Sequence, residues 1–205
     1  MEVELLEVAK RYRFEWIFKN ISYTFLPGKR YAVLGNNGTG KSTLLKILSG
    51  HLTPSKGKIV FSQKGVPIDI DQVYREVSYA APYIDLIEEF TLKEAIDFHQ
   101  KFKPLLNDFN TKQVIELLGF ENSTDKSIKF FSSGMKQRLK LALTMISRSG
   151  ILLLDEPTTN LDQQGMAWYQ ELLKNYAVDR LVIIASNVEA DYQTCDHFIN
   201  IMDYK

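Results

Sequence analysis

The spacing of apolar residues changes several times along this chain, and the changes divide it into strands and helices. Alternating positions over residues 2–8 and 21–25 predict strands, and Arg30-Tyr31-Ala32-Val33-Leu34 predicts a short buried one. Pro27-Gly28 marks the turn between the last two. Residues 43–49 are apolar at helical spacing and stop at Gly50. A loop over 52–57 then leads to a strand over 58–61. From about residue 91 the period lengthens: 91–101, 111–118 and 133–146 each predict a helix, punctuated by Pro104 and Gly119. Strand patterns resume at 151–154, 181–185 and 197–201, with a helix near 164–175. This order predicts an α/β fold: a nucleotide-binding core over about 1–82 and 148–205, opened by an antiparallel β-subdomain and interrupted by a helical insertion over about 83–147.

Composition narrows the classes. Of 205 residues, 45% are hydrophobic, enough for a full core. The 25 basic and 25 acidic residues balance, so no broad attraction to nucleic acid or anionic lipid is expected. No apolar run approaches the ~20 residues that cross a bilayer. Met1-Glu2-Val3-Glu4 lacks the basic and apolar regions of a signal peptide. The single cysteine, Cys195, cannot form an internal disulfide or a zinc cluster. A cytoplasmic protein is expected, reaching a membrane only through a partner.

Chemistry enters between the third strand and the helix that follows it. Gly35-Asn36-Asn37-Gly38-Thr39-Gly40-Lys41-Ser42 fits G-x-x-x-x-G-K-[ST], and the strand–loop–helix context suits a phosphate-binding P-loop. Successive backbone N–H groups and a helix N-terminus would surround a phosphate chain, with Thr43 completing the set. Lys41 is expected on the β- and γ-phosphates and the Ser42 hydroxyl on Mg²⁺. The chain is therefore expected to bind a nucleoside triphosphate. A second motif, Ile151-Leu152-Leu153-Leu154-Asp155-Glu156, is an apolar strand ending in two carboxylates. Successive strand side chains point to opposite faces, so the two acids should differ in task. Asp155 is expected to hold the metal, and Glu156 to orient or deprotonate the attacking water. Without the P-loop, the same acids would read as a strand ending in solvent.

Just upstream of that strand stands Phe131-Ser132-Ser133-Gly134-Met135-Lys136-Gln137-Arg138, and after it Pro157-Thr158-Thr159-Asn160-Leu161-Asp162. Together with the P-loop these resemble the ATP-binding cassette (ABC) ATPases, over essentially the whole chain. The resemblance implies a P-loop NTPase (RecA-like) core, ATP and Mg²⁺ as ligands, and hydrolysis coupled to transport. It makes residues 131–135 the signature motif, Asn160-Leu161-Asp162 the D-loop and Tyr12 the ring that stacks on adenine, with Phe14 in reserve. The Gly-Met-Lys-Gln-Arg form resembles bacterial subunits that pair with separate membrane permeases, often exporters. Ser132, Ser133 and Gly134 would cap the following helix and expose its N–H groups to the γ-phosphate held by a second cassette, in a homodimer or heterodimer.

Three positions depart from the family pattern. Ser133 replaces the first signature glycine. Pro82, in Val77-Ser78-Tyr79-Ala80-Ala81-Pro82-Tyr83, stands where the family has a metal-bridging Gln and offers no side-chain donor. Asn187 stands where the family has a histidine at the γ-phosphate, and an amide carries neither proton nor charge there. The three histidines, His51, His99 and His197, fall elsewhere and read as structural. Slow or partner-dependent hydrolysis is expected. The leading reading is the ATPase subunit of an ABC transporter. The alternative is a soluble ABC-type scaffold gated by nucleotide, which the missing Gln and His favour and the intact carboxylate pair opposes. A GTPase would need Asn-Lys-x-Asp to read guanine, and the chain has none.

Overall fold

The computed structural model describes residues 1–106 and 109–205. It divides into two units: Met1–Tyr79 with Ser149–Glu156 and Asp179–Lys205, and Ala80–Arg148 with Pro157–Val178. The first contains two sheets. Strands β1 (Glu2–Tyr12), β2 (Glu15–Phe25), β4 (Lys56–Gln63) and β5 (Val66–Ile68) form an antiparallel sheet in the order β2-β1-β4-β5. Strands β3 (Arg30–Leu34), β6 (Val77–Ala80), β7 (Ile151–Asp155), β8 (Leu181–Ala185) and β9 (His197–Asn200) form the second, in the order β6-β7-β8-β3-β9. The β7–β8, β8–β3 and β3–β9 pairs run parallel. Strands β7 and β8 are buried at every position, which is why they read as continuous apolar runs.

Helix α1 (Lys41–Leu48) follows β3 and buries Leu44, Leu45, Ile47 and Leu48 in the core of this unit. Tyr31 is a hub of that core. Its ring meets Phe25 edge-on at 5.0 Å and stacks on His197 at 4.8 Å, while its hydroxyl accepts from the Leu26 N–H at 2.9 Å. A short helix α2 (Ile70–Glu76), capped by Asp69, precedes β6.

The second unit is helical, with α3 (Leu92–Phe102), α4 (Thr111–Leu118), α5 (Ser133–Ile146) and α6 (Gln163–Tyr176). Local chemistry fixes all four of their starts, that of α6 through Asp162. Thr91 with Glu94, and Asn110 with Gln113, form capping boxes, and the Ser132 Oγ accepts from the Met135 N–H at 3.2 Å. Leu92, Ile96, Val114, Leu118, Ile128, Leu139 and Ile146 fill the core. Helix α6 belongs to this unit although the sequence pattern placed residues 157–178 with the nucleotide-binding core. Trp168 explains the difference: it packs on the helical core and its Nε1 donates to the Leu117 carbonyl at 3.1 Å. His99 is half-buried here, and desolvation pushes its pKa down to about 4 and keeps it neutral, with Nε2 2.8 Å from the Ser147 hydroxyl.

Candidate functional site

In an open parallel sheet, ligands bind at the carboxyl ends of the strands. Strand order places three functional segments on that edge of one unit: the P-loop after β3, the acids at the end of β7 and Asn187 after β8. The loop encloses a cavity of about 200 Å³ lined by Ile17, Asn37, Gly38, Gly40, Lys41, Ser42, Thr43 and Glu156. Gly40 has φ +110°, and a Cβ there would fall 2.4 Å from the Ile17 Cγ2. Both facts require glycine. Thr39 tightens the loop from within, its Oγ1 donating to the Asn36 carbonyl at 2.7 Å.

Lys41 is only 5% exposed. Its Nζ donates to the Gly35 and Asn36 carbonyls at 2.6 and 3.2 Å and to the Asn187 Oδ1 at 3.2 Å. Burial pushes its pKa down, while the carboxylates of Glu156 and Asp155 push it back up. The acids separate as strand geometry predicts. Asp155 is 2% exposed, whereas Glu156 lines the cavity. Glu156 has φ +45°, rare for a residue with a Cβ, and its N–H is bound to the Ala185 carbonyl at 2.8 Å. That conformation turns the chain at the end of β7.

The Asn187 amide touches the P-loop twice: Oδ1 accepts from Lys41, and Nδ2 donates to the Asn37 Oδ1 at 2.6 Å. The turn carrying Asn187 is built by Ser186. Its hydroxyl donates to the buried Asp191 and accepts from the Val188 N–H at 3.0 Å.

In the helical unit, Ser132, Ser133, Gly134, Met135, Arg138, Asn160 and Asp162 share a cavity of about 360 Å³ with Phe120 and Leu161. Asp162 starts α6, its Oδ1 accepting from the Gly165 N–H at 2.7 Å. Gln137 ties the two segments together, donating to the Pro157 carbonyl at 2.7 Å. Arg138 lies between the rings of Phe120 and Trp168, 5.2 and 4.6 Å from their centroids.

A family model described as ABC transporter matches residues 18–159. YybJ of Bacillus subtilis, named an uncharacterized ABC transporter ATP-binding protein, is 33% identical over 95% of this chain and 89% of its own length.

The chain belongs to the ABC transporter family.

The lantibiotic transport ATP-binding protein SrtF of Streptococcus pyogenes is 27% identical, the match covering 98% of this chain and 86% of SrtF. The Nod factor export ATP-binding protein I of Burkholderia thailandensis is 32% identical, covering 86% of this chain and 59% of that protein. Among solved structures, an ATP-binding subunit of an ABC transporter superposes with TM-score 0.84 at 22% identity, covering 98% of this chain and 85% of that one. A bacterial ABC transporter cassette solved as a dimer superposes at 0.81 and 22% identity, covering 97% and 93%. At that identity the structures establish the fold. This ABC protein is an ATP-binding cassette with ATPase activity, as its family is, and the transport names of its relatives favour the transporter reading over a scaffold.

The cassette brings every expected P-loop residue and both acids to one sheet edge, together with Asn187. Tyr12 is not among the residues lining the cavity. It ends β1 opposite Glu15, 47% exposed, with the Lys10 ammonium 5.3 Å over its ring. The reserve residue Phe14 is 97% exposed. Ile17, which no sequence motif marked, forms a wall of the cavity.

Proposed function

We propose that this cassette powers a membrane transporter, working as one of a pair of cassettes docked on separate permease subunits. The carrying observation is the cradle at the sheet edge, where the P-loop, Lys41 and Glu156 surround one cavity. Among the described residues no helix is long and apolar enough to cross a membrane, so a second protein would supply the transport path. That partner would hold the cassette on the cytoplasmic face of the membrane. Export is the direction favoured, by the form of the signature and by the name of the Nod factor export relative.

In this reading the N–H groups of residues 35–43 and the Lys41 ammonium hold the triphosphate, and Tyr12 stacks on adenine. The Ser42 hydroxyl and the Asp155 carboxylate would hold Mg²⁺. Both are hard oxygen donors, and the described residues contain no group of three His, Cys, Asp or Glu that could cage a metal alone. Such a site suits a cation whose remaining ligands are phosphate and water. Bound there, Mg²⁺ neutralises phosphate charge. Glu156 accepts the proton of the attacking water. Ser132, Ser133 and Gly134 of one cassette, with Asp162 beside them, receive the γ-phosphate bound to the other. ATP thereby joins the pair, and hydrolysis releases it.

Purification of the tagged chain from detergent-solubilised membranes is expected to recover a polytopic membrane protein whose presence raises phosphate release. Recovery of the chain without a membrane partner, turning over ATP alone at rates on the order of 10 s⁻¹, would overturn the coupled reading.

Asn187 tunes the rate. An amide reaches the anionic γ-phosphate with a neutral donor, whereas a protonated histidine reaches it with a cationic one and adds a direct charge–charge attraction. Asn187→His is therefore expected to raise kcat by about three- to tenfold, with KM for ATP nearly unchanged. An unchanged kcat in steady-state assays would remove Asn187 from the γ-phosphate.

A further inference from the structure

The parallel register of β3 and β9 pairs Leu34 with Asn200, so Gly35 and Ile201 leave the sheet side by side. Ile201 is fully buried, and its Cγ2 lies 2.6 Å from where a Cβ on Gly35 would fall. The Asn200 Oδ1 accepts from the Met202 N–H at 3.1 Å and starts a 3₁₀ turn, Ile201–Tyr204. That turn delivers Lys205 to the outside of the P-loop. There its Nζ donates to the Thr39 carbonyl and to the Ile17 carbonyl, each at 2.8 Å.

Both acceptors belong to the nucleotide cradle. Ile17 is its wall, and Thr39 stands in the loop between Gly38 and Gly40. The Thr39 carbonyl and the Gly40 N–H are two ends of one peptide unit. Among the described residues no peptide bond is cis, and in a trans peptide the N–H points opposite to the C=O. A carbonyl held outward by Lys205 therefore holds the Gly40 N–H inward. An ammonium on the carbonyl also polarises the amide and strengthens its N–H as a donor. Neither contact is a carboxylate, so neither cancels the ammonium charge, which stands behind the phosphate-binding face.

We propose that Lys205 is a positioning residue of the ATP site, clamping the P-loop to the cradle wall from behind and strengthening the grip on the polyphosphate. This rests on the P-loop being the ATP site. The amide it orients and the charge it adds both act on phosphate, so its effect should grow with the number of phosphates.

The test compares Lys205→Met, which keeps the stem and removes the ammonium, with Lys205→Arg, which keeps the charge. Equilibrium binding of ATP, ADP and AMP is measured by calorimetry, alongside steady-state hydrolysis and the melting temperature without nucleotide. Lys205→Met is expected to weaken ATP binding about tenfold and ADP less, and to leave AMP binding unchanged. KM should rise with kcat unchanged, the nucleotide-free melting temperature should hold, and Lys205→Arg should recover most of the affinity. Wild-type affinity for ATP in Lys205→Met would overturn the proposal. So would an equal loss for ATP and AMP together with a lower melting temperature, which would make Lys205 a framework contact only. If the wild-type protein bound no ATP, the P-loop reading would fail first and this proposal with it.

Discussion

Glu156→Gln is expected to lower multiple-turnover ATP hydrolysis by about 10²- to 10⁴-fold while leaving ATP affinity within about twofold of wild type. The substitution keeps shape and hydrogen-bonding length and removes the capacity to take a proton. The backbone should tolerate it, because the positive φ at this position is held by the Glu156 N–H bond to Ala185 rather than by the carboxylate. Lys41 would lose one of the two carboxylates that oppose its desolvation and would keep Asp155. If ATP joins two cassettes and hydrolysis parts them, the variant should also accumulate as an ATP-bound dimer in size-exclusion chromatography. Hydrolysis at the wild-type rate would remove Glu156 from the chemistry. Loss of ATP binding along with hydrolysis would mean that its charge acts through Lys41 instead.

What the sequence disclosed, and what it hid, follows from how far apart the interacting residues lie. Helices α4 and α5 were legible to the residue because their ends are written locally, in Asn110 with Gln113, in Gly119 and in Ser132. Strands β3 and β8 were equally plain as buried apolar runs. Strand β1 reads as ending at residue 8 but continues to Tyr12, through register shifts on both its neighbours. Its charged end is stabilised across strands, with Arg11 and Lys56 both over the Trp16 ring, and no one-dimensional period reports such pairs. The short α2 went unread because only one of its residues, Val73, is buried. In the site, contiguity decided. Residues 35–43 and the Asp155-Glu156 pair form motifs. Lys205 reaches the same cradle through the pairing of β9 with β3, and Ile17 through the packing of β2 on the core that the two sheets share. The two hydrogen bonds of the Asn187 amide could not be seen without the sheet order that sets β8 beside β3.

Ser133→Asp carries the other large expected effect, and it separates what one cassette does from what two do. Ser133 is exposed and is the first residue of α5, the 14-residue helix whose N-terminus opens on the signature cavity. An acidic side chain in the first turn of a helix interacts favourably with its dipole, so the isolated cassette should be as stable as wild type or slightly more so. ATP affinity should also be unchanged, because the P-loop, Lys41 and Glu156 are untouched. The same carboxylate would occupy the place proposed for the partner's γ-phosphate, setting negative charge against negative charge in a site that the pair would shield from water. Hydrolysis and ATP-dependent dimer formation should therefore fall by at least about 100-fold, a like-charge penalty of several kcal/mol. Ser133→Gly, which restores the family residue, should keep both. Analytical ultracentrifugation with ATP, in the Glu156→Gln background so that nucleotide persists, reads the pairing directly. Dimers of Ser133→Asp as abundant as those of Glu156→Gln alone would mean that the serine-capped helix does not meet nucleotide, and that the cassette pairs through some other surface.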